Sequence, residues 1–378
     1  MYLLLQKIIL FPLLLTGKLC GIRKDIWLFG SWSGRYYNDN SKYLFNYLFD
    51  NKSEIRPIWV TNSERVRQLL VKEKKECYKF NSLKGIYYSC IAGVVIVTDS
   101  WGDLPGWAYF NPRKKKIVQL WHGTLLRKVN YTVGSKARKF WRSLLITYLG
   151  RGYDLVISAT DKNKKIFLDL FNAKKFTITG QPRTDGLFTY KGLLRKSYPN
   201  KKIIFYLPTW RDNEYVLFNE ENKFDLNKLD NILKEQNAVL VVKIHPYDIG
   251  KYNKLPKGNN ISFRHDIEDI YMYLFDADIL LTDYSSVYFD YLVFNRPIIF
   301  APFDLDEYRK RHGFYYNYKN MTPGPKAMDW NEVIKIMKKT LEGDDSYKSQ
   351  RIRMNKEFNK YTDGNNSYRT YTEILKFK

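Results

Sequence analysis

Short runs rich in valine and isoleucine recur along the whole chain, and several of them are apolar at consecutive positions. Consecutive apolar residues are typical of parallel strands that are buried on both faces. Stretches with helical periodicity, such as 42–49, 64–74 and 162–170, separate these runs. This alternation of strand and helix predicts doubly wound α/β sheets. The predicted strands are 26–29, 55–60, 94–98, 117–121, 155–158, 176–179, 203–207, 239–244, 261–263, 279–282 and 297–301.

The length of 378 residues accommodates two domains, each with its own core. A polar, basic stretch with glycine and proline at 190–202 marks the boundary between them. We therefore predict one Rossmann-like domain at 23–192 and a second at 193–378, facing each other across a central cleft. This arrangement is the GT-B architecture of glycosyltransferases. The glycine motif of dinucleotide-binding folds is absent, so no cofactor is predicted.

The chain is strongly basic, with 63 Lys and Arg against 39 Asp and Glu and a net charge of +24. Such a charge favours polyanionic partners, including nucleic acids, anionic lipids and phosphate-rich substrates. Genome composition is an alternative source of part of the excess, because Lys, Asn, Tyr and Ile are all abundant. No RNA-binding motif accompanies the charge, so a nucleic-acid partner is not predicted. The three cysteines form no paired pattern and indicate a reducing compartment.

Two segments are candidates for contact with a membrane. The N-terminal segment 1–22 is mostly apolar, but its longest uninterrupted run, 8–15, is far shorter than the ~20 residues that span a bilayer. It predicts a helix in the membrane interface or one that covers the first domain. Arg127, Lys128 and the basic segment 136–149 interleave cationic with apolar side chains, which predicts an interfacial helix or a solvated surface helix. We therefore expect a peripheral protein on the cytoplasmic face of the cell membrane.

Two of the four histidines each follow a predicted buried strand, His122 after 117–121 and His245 after 239–244. Ligands of open parallel sheets bind at the carboxyl ends of the strands, so both imidazoles are candidate site residues. His122 is a candidate general base, with a structural histidine bonded to a backbone carbonyl as the alternative. His245 lies close to Lys243 and is a better candidate for donating to a phosphate. The histidine spacing predicts no protein-held metal, although Mg²⁺ held mainly by a substrate diphosphate stays open.

Further polar residues follow the other predicted strands. Ser285 and Ser286 precede an apolar helix, where a serine caps the helix or helps to bind a phosphate. Arg211 is a candidate diphosphate clamp, with a salt bridge to a nearby acid as the alternative. Strand-end turns also contain Asp99, Thr209, Arg183, Asp185 and Asp283.

These turns belong to a series of motifs that resembles the CDP-glycerol glycerophosphotransferases, which build teichoic acids and related capsule polymers. Each motif alone is weak evidence, but their order along most of the chain is highly specific. The motifs are Trp27-Leu28-Phe29-Gly30-Ser31-Trp32, Asp39-Asn40-Ser41-Lys42-Tyr43, Trp121-His122-Gly123-Thr124, Gly180-Gln181-Pro182-Arg183-Thr184-Asp185, Leu207-Pro208-Thr209-Trp210-Arg211-Asp212, Lys243-Ile244-His245-Pro246, Thr282-Asp283-Tyr284-Ser285-Ser286-Val287, Asn295-Arg296-Pro297-Ile298-Ile299-Phe300, Arg311-His312-Gly313-Phe314 and Pro323-Gly324-Pro325.

The resemblance implies a GT-B-like enzyme on the cytoplasmic membrane face. It would transfer glycerol phosphate from CDP-glycerol to a hydroxyl of a lipid-linked saccharide or growing polymer and release CMP. The first domain would bind the acceptor and the second domain the CDP donor. His122 would be the general base. The substrate-binding residues would be His245, Ser285, Ser286, Arg211, Thr209 and Asp283.

The sequence departs from the family pattern directly after the Trp-His-Gly-Thr motif. Leu125 replaces a proline, and the following stretch 126–134 contains no acidic residue, although an aspartate is common there in the family. This leaves open which residue orients His122.

Three competing interpretations remain at this point. The first is a CDP-ribitol ribitolphosphotransferase of the same family. The second is a GT-B nucleotide-sugar glycosyltransferase, which would form a glycosidic bond in place of a phosphodiester. The third is a non-enzymatic basic module that binds membranes or polyanions, for which two strand-end histidines would have no use.

Overall fold

The computed structural model of the protein describes residues 21–109, 114–129, 152–209, 217–243 and 257–376. These residues form two compact units. The first unit contains the described residues up to His122, together with 152–185 and those from Asp363 on. The second contains 123–129 and the described residues of Gly186–Thr362.

The first unit is built on a parallel sheet of seven strands in the order β3-β2-β1-β4-β5-β6-β7. In its centre, Trp27 pairs with Pro57 on one side and Val94 on the other. The prediction missed only β3 among these strands, a three-residue edge strand. The strands are β1 (Arg23–Phe29), β2 (Arg56–Thr61), β3 (Cys77–Lys79), β4 (Ala92–Val97), β5 (Lys116–Gln119), β6 (Leu155–Ser158) and β7 (Lys175–Ile178).

The second unit is built on a parallel sheet of five strands in the order β10-β9-β8-β11-β12. Each of these strands overlaps a run that the sequence pattern predicts. The strands are β8 (Lys202–Leu207), β9 (Ala238–Lys243), β10 (Ile261–Arg264), β11 (Ile279–Thr282) and β12 (Ile298–Phe300). Two parallel α/β sheets of this kind confirm the predicted fold class.

Helices connect the strands, and several begin at a residue whose side chain accepts a backbone N–H. Ser63, Ser82, Asp225 and Asp329 cap helices in this way, which satisfies an otherwise unpaired donor. The helices are α1 (Asp39–Asn51), α2 (Glu64–Lys72), α3 (Leu83–Ile91), α4 (Lys164–Phe171), α5 (Gly186–Thr189), α6 (Leu193–Ser197), α7 (Leu226–Glu235), α8 (Val287–Tyr291), α9 (Leu305–His312), α10 (Tyr318–Met321), α11 (Trp330–Leu341), α12 (Lys348–Phe358) and α13 (Asn366–Lys376).

Both faces of each sheet are buried, which explains why the strands are apolar at consecutive positions. In β1, Trp27 and Phe29 lie on one face and Ile26 and Leu28 on the other, and all four are at most 1% exposed. Complete burial of one such side chain contributes about 1.5–3 kcal/mol to folding. The strands of the second unit show the same double burial, as at Ile204 and its neighbours.

The C-terminal helix α13 belongs to the first unit, whereas the sequence pattern places all of 193–378 in the second domain. The Asp185 carboxylate accepts the backbone N–H groups of Asn366 at 2.9 Å and Ser367 at 2.7 Å. These two hydrogen bonds cap the first turn of α13 with Asp185, the last residue of the segment 152–185 of the first unit. Burial raises the pKa of Asp185. The assignment therefore depends on a contact between residues about 180 positions apart, which sequence periodicity does not reveal.

Within the described residues, no helix is both long enough and apolar enough to cross a membrane. The two segments that the sequence assigns to membrane contact lie almost wholly outside the described residues, since 1–20 and 136–149 are not among them. Their predicted roles stay predictions.

Candidate active site

In both sheets the strand order reverses beside the first strand of the unit, between β1 and β4 and between β8 and β11. The crossover helices leave in opposite directions at such a point, and open α/β sheets bind ligands in the crevice outside the carboxyl ends of the strands there. Two candidate sites follow, one in each unit.

In the first unit, His122 lies just beyond the carboxyl end of β5, between two tryptophan rings. The imidazole centroid is 4.9 Å from the Trp32 ring and 3.8 Å from the Trp121 ring. The backbone at Trp121 has a φ of 54°, which is uncommon for a bulky residue and turns the chain sharply before His122. The His122 side chain remains 22% exposed, so a substrate can reach it.

Buried side chains hold the backbone around His122. The Asn40 amide donates to the Trp121 carbonyl at 2.7 Å, and the Gln119 side chain accepts the Trp121 N–H at 2.8 Å. The Arg183 guanidinium donates to the His122 carbonyl at 2.7 Å. These bonds restrict the backbone that positions the imidazole, as a catalytic group requires.

Arg183 also forms an ion pair with Asp39 at 3.0 Å. Both side chains are almost completely buried, with 5% and 10% of their surfaces exposed. Arg183 lies in the turn where the segment 152–185 of the first unit ends. The structure shows that it joins this turn to the start of α1 and to His122.

A second buried carboxylate, Asp103, organises the carboxyl ends of β1 and β4. It accepts the backbone N–H groups of Ser33 at 2.9 Å, Thr98 at 2.8 Å and Asp99 at 2.7 Å. Burial raises the pKa of Asp103 to about 6. A Cβ atom at Gly30 would overlap the Asp103 carbonyl oxygen, so the close contact between the backbone at position 30 and Asp103 requires glycine.

Asp99 lies beside the His122 ring. The distance from His122 Nδ1 to Asp99 Oδ1 is 3.8 Å, and the Asp99 side chain is 27% exposed. This distance is within ion-pair range but longer than a hydrogen bond.

In the second unit, Asp283 joins the ends of β8 and β11. Its carboxylate accepts the Thr209 N–H at 2.9 Å and also the N–H of Tyr284. The Asp283 side chain is completely buried. These hydrogen bonds hold the Thr209 turn in place, and the predicted role of Asp283 in substrate binding stays a prediction.

Ser285 and Ser286 follow Asp283 and are half-buried. The Ser285 hydroxyl accepts the Val287 N–H at 3.4 Å, a long hydrogen bond. Ser286 has helical backbone angles, and its side chain makes no capping hydrogen bond. Helix capping therefore does not account for the Ser286 hydroxyl.

The remaining predicted donor-site residues, Arg211 and His245, lie outside the described residues. No group of three metal-ligating side chains is clustered in the part of the chain that the structure describes.

The model of the family of CDP-glycerol:poly(glycerophosphate) glycerophosphotransferases matches residues 14–376. The chain belongs to this family. A teichoic acid poly(glycerol phosphate) polymerase of Bacillus spizizenii is 30% identical over 340 residues, which are 83% of each chain. A teichoic acid glycerol-phosphate transferase of Staphylococcus aureus is 28% identical over 93% of each chain.

A solved structure of the wall teichoic acid polymerase TagF has the fold of this glycerophosphotransferase. The TM-score is 0.78 at 24% identity, over 98% of this chain and 95% of that chain. The similarity extends over both units, and it confirms the GT-B-like fold class.

Sequence reasoning missed several residues of the candidate site in the first unit. Trp32, Asp39 and Asn40 lie within motifs that carry the family resemblance, but their sequence context assigns them no role. Asp103 follows no predicted strand directly, and its burial gives no signal in the sequence. These residues act on groups that are distant along the chain, so only the fold brings them to the site.

Proposed function

We propose that this enzyme transfers glycerol phosphate from CDP-glycerol to a hydroxyl of a lipid-linked saccharide or polyol-phosphate polymer, in teichoic acid or capsule polymer synthesis. The observation that carries the proposal is the placement of His122. In a chain of this family, it is a partly exposed imidazole at the carboxyl edge of a parallel sheet, held by a buried polar network.

In the proposed reaction, His122 accepts the proton of the acceptor hydroxyl while the hydroxyl oxygen attacks the β-phosphorus of CDP-glycerol. A new P–O bond forms to the acceptor, and the bond between the β-phosphorus and the oxygen that bridges to the α-phosphorus breaks. CMP leaves with the electron pair of that bond. Positioning and stabilisation of phosphate charge supply most of the acceleration in such transfers.

The donor diphosphate is proposed to bind the second unit. Ser285 and Ser286 contribute hydroxyl groups at the end of β11, and Thr209 lies beside them across the strand-order reversal. Arg211 and His245 are proposed to add positive charge and hydrogen-bond donors, as their sequence positions predict. Asp283 is proposed to act indirectly, by fixing the Thr209 turn.

The Ser286→Ala variant is expected to weaken CDP-glycerol binding by about tenfold or more, because a hydrogen bond to a charged oxygen is lost. The melting temperature should stay within about one degree of the wild type, since this hydroxyl makes no capping bond. Calorimetric titration with CDP-glycerol and thermal unfolding measure the two quantities.

Ser82→Ala is the matched control for Ser286→Ala. Ser82 caps α3 through the Gly85 N–H at 3.1 Å, so its loss should cost about 1 kcal/mol of stability without changing donor affinity. An unchanged CDP-glycerol affinity in Ser286→Ala would contradict the proposed donor role of this hydroxyl.

The reaction itself is tested by release of CMP from CDP-glycerol with a membrane-lipid acceptor. CDP-ribitol and a nucleotide sugar serve as competing donors. Acceptor-dependent release from CDP-glycerol supports the proposal. Preferential turnover of CDP-ribitol or of the nucleotide sugar would replace it with one of the two enzymatic alternatives, and turnover of none would favour a binding module.

The enzyme is further proposed to work as a peripheral protein on the cytoplasmic face of the cell membrane. The net charge of +24 suits an anionic surface. We expect the protein to sediment with phosphatidylglycerol vesicles at low salt and to be released at higher salt, because screening weakens surface attraction. Equal binding to neutral phosphatidylcholine vesicles would contradict an electrostatic contribution.

A further inference from the structure

The proposed reaction gives His122 the role of general base, but it assigns no role to Asp99, whose carboxylate lies beside the imidazole. The His122 ring presents Nδ1 to Asp99 Oδ1 at 3.8 Å. A carboxylate at this position favours the tautomer that carries its proton on Nδ1. The other ring nitrogen, Nε2, then carries the lone pair of the ring and can accept a proton from a substrate.

Both members of the pair are held in place by the buried network. The Asp99 N–H donates to Asp103 at 2.7 Å, and its carbonyl accepts from the Gln119 amide at 3.3 Å. The same Gln119 side chain accepts the Trp121 N–H at 2.8 Å. One side chain therefore couples the backbone of Asp99 to the turn that carries His122.

A cation and two tryptophan rings also lie close to His122. Arg183 donates to the His122 carbonyl and is paired with Asp39, so this cation is locally neutralised. Trp32 and Trp121, whose rings flank the imidazole, are uncharged. Asp103 faces three backbone N–H groups. In the chain segment after His122, 126–134 contains no acidic residue.

We propose that Asp99 is the positioning residue of His122, which fixes its tautomer and stabilises the imidazolium that forms when the acceptor hydroxyl is deprotonated. The proposal rests on the base role of His122 in the proposed function. The 3.8 Å separation is longer than a hydrogen bond, and catalytic hydrogen bonds often tighten only in the substrate complex.

Asp99→Asn tests the proposal, because it removes the charge and keeps the size of the side chain. We expect kcat to fall about 10- to 100-fold with little change in KM for CDP-glycerol. The neutral His122 is the active form, and loss of a nearby anion lowers the pKa of an imidazole. The acid limb of kcat/KM against pH should therefore move to lower pH, by about one unit.

A second readout does not depend on turnover. In protein labelled at the histidine rings, the His122 resonance is assigned by its absence in His122→Ala, and its titration is followed by NMR. In Asp99→Asn the pKa of His122 should fall by about one unit, and the tautomer with the proton on Nδ1 should lose population. Asp99→Glu, which keeps the charge, should retain most of the wild-type titration.

Asp25→Asn is the control, because Asp25 is a partly exposed acid of the same unit that forms an ion pair with Arg23. It should leave both readouts unchanged. A loss of activity in Asp99→Asn with an unchanged pKa and tautomer of His122 would overturn the positioning role. A different outcome separates the two proposals. If the wild-type protein released no CMP but the pKa of His122 still fell in Asp99→Asn, the proposed function would be wrong, whereas the interaction between Asp99 and His122 would be confirmed.

Discussion

His122→Ala is expected to reduce acceptor-dependent CMP release by about 10³-fold, the typical contribution of a positioned general base. CDP-glycerol should still bind with near wild-type affinity, because the proposed donor-binding residues lie in the other unit. CMP release should fall because, without the imidazole, the acceptor hydroxyl must lose its proton to water. Steady-state CMP release and calorimetric titration with the donor measure the two effects.

His265→Ala is the matched control, since His265 is exposed and follows β10 in the second unit. It should retain full activity. Retention of more than about a tenth of the wild-type rate in His122→Ala would exclude this imidazole as the general base. It would leave the tryptophan-flanked site as a place for acceptor binding only.

Arg183→Met is expected to lower the free energy of unfolding of the first unit by about 3–5 kcal/mol, since it leaves a buried carboxylate without its cation. The Asp39 carboxylate, 10% exposed, would lose its ion pair with Arg183. The His122 carbonyl would lose its 2.7 Å donor, so activity should fall as well. Denaturant unfolding, followed with probes for each unit, measures the change.

Arg67→Met is the control for this variant, because Arg67 pairs with Glu64 on the surface of α2. Exposed pairs contribute little to stability, so its unfolding curve should match that of the wild type. A comparable loss in both variants would show that the burial of the Arg183–Asp39 pair has no special effect. A double variant, Arg183→Met with Asp39→Leu, should recover part of the lost stability, because it removes the buried charge that Arg183→Met leaves behind.

The strands were predictable because burial on both faces of a parallel sheet produces a local signal. The run 203–207 is continuously apolar and the run 279–282 is apolar up to Leu281, and the structure contains β8 and β11 there. The short edge strand Cys77–Lys79 was missed because only Cys77 is buried. A three-residue strand with a polar end carries too little periodicity to distinguish it from a loop.

The position of His122 was also predictable, since a titratable residue directly after a buried strand lies at the ligand-binding edge of a sheet. Motif order along the chain indicated the family, which the comparison confirmed. Both inferences use information that is local in sequence or that depends only on the order of motifs.

The amino-acid sequence by itself therefore determined the two parallel sheets, the residues at their strand ends and the family. Only the tertiary structure decided what surrounds His122. Arg183 and Asp39 are 144 positions apart, and α13 reaches the first unit from the far end of the chain. Contacts between residues so far apart in sequence depend on which strands become neighbours in the sheet and on the register of those strands. Hydrophobic burial fixes the strand order and register only when the whole unit folds.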